Sequence, residues 1–151
     1  MKYKHYLITC LLGLFSLNTF SQQIADTSFN PVIAKPEYAY GNGPTVAVDE
    51  GHNNFHTVDG RYLPFARLLN ADGYVVTGYK GEFTESQLRK VRILVIANAL
   101  NKINIQNWYV PTPSAFSVGE IETVRKWVEN GGSLFLIADH MPFGGAASDL
   151  A

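Results

Sequence analysis

The sequence predicts a layered α/β domain on a parallel sheet, and three observations lead there. Short apolar runs recur at Thr45 to Val48, Tyr74 to Tyr79, Ile93 to Ala97 and Ser133 to Ala138. Runs this short, rich in Val, Ile, Leu and Phe, read as strands buried on both faces. Stretches with apolar residues at helical spacing separate them, and the connections suit right-handed crossovers. Two of the runs also break in the same way, into Asp49-Glu50-Gly51-His52 and into Asp139-His140. Open parallel sheets bind ligands beyond the carboxyl ends of their strands, which is where these acids and histidines are expected.

Lys2, Lys4 and His5 precede an apolar stretch from Tyr6 to Leu17 and then Asn18-Thr19-Phe20-Ser21. This is the pattern of a signal peptide over residues 1–21. Its apolar part is shorter than the ~20 residues a spanning helix needs. The expectation is therefore cleavage near Ser21 and export to the periplasm or the extracellular space, with no retained membrane anchor. A lipidated Cys10 is the alternative, but the apolar run lies after that cysteine rather than before it. Residues 22–44 hold Pro31, Pro36, Gly41, Gly43 and Pro44 without periodicity and read as an extended arm.

The domain proper is expected over residues 45–151. Its first strand begins at Thr45. Leu63, Phe65, Ala66, Leu68 and Leu69 then mark one face of a helix, with Pro64 in its first turn and Gly73 to end it. Tyr74 to Tyr79 is the second strand. Thr84 and Gln87 have capping-box spacing, which predicts a short helix over 85–91, followed by a third strand over 92–100. Ser117 and Glu120 make a clearer capping box ahead of Ile121, Val124 and Val128, and Asn130-Gly131-Gly132 stops that helix. Residues 133–138 form the fourth strand. Alternating elements of this kind give a three-layer, flavodoxin-like fold with strand order 2-1-3-4. The sequence ends at Ser148-Asp149-Leu150-Ala151, where a further helix is expected to start with Ser148 as its cap. The domain is thus expected to be a C-terminally incomplete fragment.

Lys2 and Lys4 belong to the leader, so the remainder of the 12 basic and 13 acidic side chains is slightly acidic. No basic patch emerges, which argues against a nucleic-acid partner. Cys10 is the sole cysteine and also lies in the leader. Beyond Ser21 this rules out disulfides, thiolate metal sites and cysteine nucleophiles.

The candidate ligand-binding residues are Asp49, Glu50, His52, Trp108 and Tyr109. Asp49 and Glu50 are adjacent, so in a strand they point to opposite faces and only one faces a given site. The other caps a turn. Trp108 and Tyr109 sit in a long loop over 101–116 that either covers the strand tips as a lid or packs on the sheet edge. Asp139 and His140 are the catalytic candidates if the protein is an enzyme, with Asp139 orienting a histidine that activates water. His52, His56, Asp139 and His140 are the candidate metal ligands, a nitrogen and oxygen set suited to zinc, iron or manganese. His52 and His56 are four apart, but Asn53-Asn54-Phe55 lies between them without the glutamate of a zinc-protease helix. Phe143-Gly144-Gly145-Ala146-Ala147-Ser148 reads as a tight turn rather than a phosphate loop, because it lacks the lysine.

Val48-Asp49-Glu50-Gly51-His52-Asn53, together with Glu120 and the stretch from Val128 through Gly131-Gly132 to Ile137, resembles the class I glutamine amidotransferase-like superfamily. The similarity spans roughly residues 45–145 and is greatest to an exported branch and to ThuA-like and gliding-motility auxiliary domains. The family's nucleophilic cysteine would follow the fourth strand, where this chain has Ala138 and Asp139, so the resemblance implies a fold without glutaminase activity. ThuA-like proteins carry histidines near both strand ends, positions that His52 and His140 approximate.

The expected function is binding of a small polar ligand, carbohydrate among the candidates, at the strand tips. Hydrolysis assisted by a divalent metal or by His140 is the alternative, and an assembly module with an envelope-protein partner is a third class. The metal is the only cofactor the sequence suggests.

Overall fold

A computed structural model describes residues 24–151 of the chain. The expected signal peptide lies outside the described residues. Four strands, β1 (Thr45–Asp49), β2 (Val75–Tyr79), β3 (Ile93–Ala97) and β4 (Ser133–Ile137), form one parallel sheet in the order β2-β1-β3-β4. The helices are α1 (Leu63–Ala71), α2 (Glu85–Leu88), α3 (Val118–Glu129) and α4 (Phe143–Ala147), with a 3-10 turn at Lys102–Asn104. The architecture is the expected flavodoxin-like α/β fold. Among the described residues no helix is long and apolar enough to cross a membrane.

Strand alternation sends residues to two separate cores. Val46, Val48 and Val95 pack with Phe65 and Leu69 of α1 on one face of the sheet. Ala47, Leu94 and Ile96 pack with Leu88 of α2 and with Val124, Ile121 and Trp127 of α3 on the other. Leu88, Leu94 and Ile96 are fully buried. Burial of side chains this size contributes about 1.5–3 kcal/mol each. The edge strands are thinner: Thr77 and Gly78 of β2, and Ser133 and Phe135 of β4, are exposed. The face of β4 that carries Ser133 and Phe135 is thus uncovered by α1.

Helix boundaries follow local chemistry. Pro64 stands in the first turn of α1, and Gly73 takes φ +93° just after its end. An L side chain is strained there, and a Cβ would also strike the Tyr38 carbonyl at 2.2 Å. The capping box of α3 is complete, with Ser117 and Glu120 exchanging hydrogen bonds. Residues 24–44 contain no helix or strand. They run along α1 and β2, held where Tyr38 N–H donates to Asp72 O (3.2 Å) and the Arg67 guanidinium donates to the carbonyls of Thr27 and Phe29.

Two local expectations need correction. Thr84 makes no cap to the α2 backbone; its hydroxyl donates instead to the Gln87 side chain at 3.2 Å. Ser148 does not open a helix. A short helix already begins at Phe143, and Ser148 closes it by donating to Gly145 O at 2.8 Å. Gly145 is required by packing, since a Cβ there would meet Thr112 Oγ1 at 1.9 Å.

Candidate functional site

Asp49 is the last residue of β1 and shares the face of Ala47, so it points toward α3. Glu50, one residue on, turns to the opposite face. The Asp49 carboxylate is completely buried and accepts from His52 Nδ1–H at 2.9 and 3.0 Å and from Gly51 N–H at 3.0 Å. The other ring nitrogen of His52 donates to Glu120 Oε1 at 2.8 Å. Glu120 Oε1 also accepts from Phe83 N–H (3.0 Å), while Oε2 accepts from the Ser117 amide (2.9 Å) and hydroxyl (2.8 Å). Phe83 and Phe116 pack on the His52 ring with centroids 4.6 and 4.8 Å away.

Only an imidazolium can donate from both ring nitrogens. Burial pulls the His52 pKa down, but the hydrogen bonds and charges of Asp49 and then Glu120 outweigh it and raise the pKa above the usual 6.5. For Glu120, burial works upward, yet the Ser117, His52 and Phe83 hydrogen bonds hold its carboxyl below the usual 4.5. The result is a closed clamp joining the β1 tip, the loop before α2 and the first turn of α3. Both nitrogens are occupied and the residue is 7% exposed, so His52 has nothing left to offer a ligand.

Glu50 is structural in another way. Its Oε1 accepts from Val58 N–H at 2.8 Å, which fixes the loop after β1. The carboxyl lies against Gly78 of β2, where an added Cβ would come within 2.6 Å.

A second and separate cluster stands at the carboxyl ends of β1, β3 and β4. Phe55, Trp108 and Phe143 form its apolar walls, and His56, Arg61, Asn98 and His140 supply polar groups around a cleft of ≈ 250 Å³. Trp108 meets Phe143 at 5.2 Å, His140 at 5.6 Å and Phe55 at 6.0 Å between centroids. His140 Nδ1–H donates to Asp139 Oδ1 at 2.6 Å, which leaves Nε2 as the free ring nitrogen. Asn98, just past β3, is 4% exposed and adopts φ +52°; its side-chain oxygen accepts from Asp139 N–H at 3.3 Å. Burial works against ionisation of Asp139, but hydrogen bonds from Asn98 and His140 hold its carboxyl below the usual range. The His56 pKa is lowered as well: burial first, then the charge of Arg61, bring it down, with Asp139 opposing.

The strand-tip histidines therefore do not converge as the sequence suggested. His56 occupies the cleft with His140, whereas His52 and Asp49 are locked in the clamp on the α3 side. Tyr109 is 74% exposed and does not line the cleft. Among the described residues no three of His, Cys, Asp and Glu are grouped as metal ligands, so His52, His56, Asp139 and His140 do not form the expected set. The loop over 101–116 is tied to α4 where Ala115 N–H donates to Ala146 O, and its two ends are joined where Asn101 Nδ2 donates to Ser114 O.

Sequence reasoning missed Arg61 and Asn98 of the cleft, and the roles of two further residues. Glu120 was legible only as a helix cap, although its second oxygen grips His52. Asn104, 1% exposed, directs its Nδ2 to the carbonyls of Asn107, Tyr109 and Pro111 at 3.0–3.1 Å and so shapes the turn that carries Trp108. An asparagine inside a loop that already holds prolines gave a sign of a turn, but none of its partners.

No family model, curated protein or solved structure matches the chain.

Proposed function

We propose that the chain is an exported, non-glutaminase member of the class I glutamine amidotransferase-like superfamily that binds a small polar ligand in the cleft beside Trp108. The family assignment rests on the residue patterns after β1 and around Gly131-Gly132, and the parallel 2-1-3-4 sheet is compatible with it. The observation that carries the binding reading is the convergence of three aromatic rings and two histidines at the carboxyl ends of the strands, where open α/β sheets hold ligands. At ≈ 250 Å³ the cleft falls below the roughly 300–1,000 Å³ of drug-sized sites, which suits a ligand of one ring.

Trp108 and Trp127 are the two tryptophans of the sequence, so Trp127→Phe leaves Trp108 as a fluorescent reporter. Titrating that variant with monosaccharides and small organic acids should give a saturable change that His140→Ala removes. A flat response to all of them would overturn the reading.

The Asp139–His140 pair favours hydrolysis as a second reading. A carboxylate on Nδ1 fixes the ring and leaves Nε2 as a base for water at the cleft. Turnover of chromogenic esters or glycosides that disappears in both Asp139→Asn and His140→Ala would select it. Assembly with an envelope partner has no comparable feature in its support.

A further inference from the structure

We infer that the ligand of the Trp108 cleft is an anion, specifically a carboxylate borne on a single ring; this rests on the proposed binding function. The charge pattern argues for it. Among the described residues no carboxylate side chain lines the cleft. The nearest one, Asp139, is engaged by His140 and by Asn98. Arg61 lies at the mouth, exposed, and makes no ion pair or hydrogen bond among the described residues. It is not idle: its guanidinium sits 5.3 Å over the Phe55 ring, which orients the group beside the aromatic walls. The charge of Arg61 also reaches His56, where the Asp139 carboxylate opposes it.

Arg61 presents a planar fork that matches a carboxylate in two parallel hydrogen bonds. Phe55 contacts both Arg61 and Trp108, which places the cation one ring away from the indole. Trp108 is 40% exposed, so part of its indole is open to a ligand ring. A ligand that puts a ring on that face and a carboxylate at Arg61 uses both features at once, whereas a neutral sugar leaves the guanidinium without a partner.

The test uses two acids and their uncharged counterparts: benzoate against benzamide, and glucuronate against glucose. They are titrated into the full chain bearing Trp127→Phe, with Trp108 fluorescence and amide chemical shifts as readouts. At least one acid should bind about tenfold or more tightly than its neutral partner, as expected for hydrogen bonds to a charged group. Arg61→Gln should erase that advantage while the unfolding midpoint stays unchanged, because Arg61 is exposed. Preference for benzoate assigns an aromatic acid, and preference for glucuronate assigns a sugar acid. If both neutral probes bind as well as their acids, or Arg61→Gln leaves the preference intact, the anion inference fails and the cleft remains a binding site. If none of the four probes perturbs Trp108, the inference and the binding function fall together.

Discussion

The two strand ends that read alike in sequence, Asp49-Glu50-Gly51-His52 after β1 and Asp139-His140 after β4, have opposite fates in the fold. After β1, the chain places a histidine three residues beyond the aspartate, on the sheet face where α3 brings Glu120 and where Phe83 and Phe116 exclude water. After β4, which is an edge strand, aspartate and histidine are adjacent and both about half exposed. An acid–histidine pair is thus a buried clamp or a solvent-exposed pair according to what covers it. Residue type alone does not decide between them.

The largest expected effect comes from opening the clamp. His52→Ala leaves two buried carboxylates without their shared cation, and removing one partner of a buried pair costs about 3–5 kcal/mol. Chemical denaturation should show that loss, whereas His140→Ala should stay within about 0.5 kcal/mol of wild type, as for an exposed surface change. Equal costs at the two sites would erase the distinction.

Removing the carboxamide of Asn104 should have an intermediate effect. Asn104→Ala strips the donors shared by Asn107, Tyr109 and Pro111, at a cost of about 1–3 kcal/mol. It should also weaken ligand binding by loosening the Trp108 turn, which a fluorescence titration in the Trp127→Phe background reads. Unchanged binding together with lost stability would separate the turn from the cleft.

A smaller effect is the pH dependence of stability. His52 has a raised folded pKa, so its contribution is complete below about 6.5 and is lost as pH rises through the raised value. Glu120 has a lowered folded pKa, so its contribution is complete above about 4.5 and is lost as pH falls through the lowered value. The clamp is strongest between these limits. In His52→Gln, denaturation midpoints should lose the decline on the alkaline side; a variant that keeps the wild-type profile would show that another group controls it.

Most of the fold was legible because its signals are local. Apolar runs, the Ser117–Glu120 box and the glycines after α1 and α3 each act within a few residues. The site was legible only as a region. Strand alternation correctly sent Asp49 and Glu50 to opposite faces, but which histidine joins His140 depends on contacts distant in sequence. His52 is captured by Glu120, 68 residues away. That capture leaves His56, in the same loop, to line the cleft. Arg61 carried no motif, and its importance comes only from its place over Phe55.

The division between clamp and cleft is tested most directly by NMR of the histidine rings at pH 6. His52 should show both ring N–H protons, slow to exchange with water and unmoved by benzoate or glucuronate. His56, whose pKa is lowered, should lose its ring charge at a lower pH than His52 and should respond to a bound acid. A neutral, rapidly exchanging His52 ring that shifts when either acid is added would contradict the account.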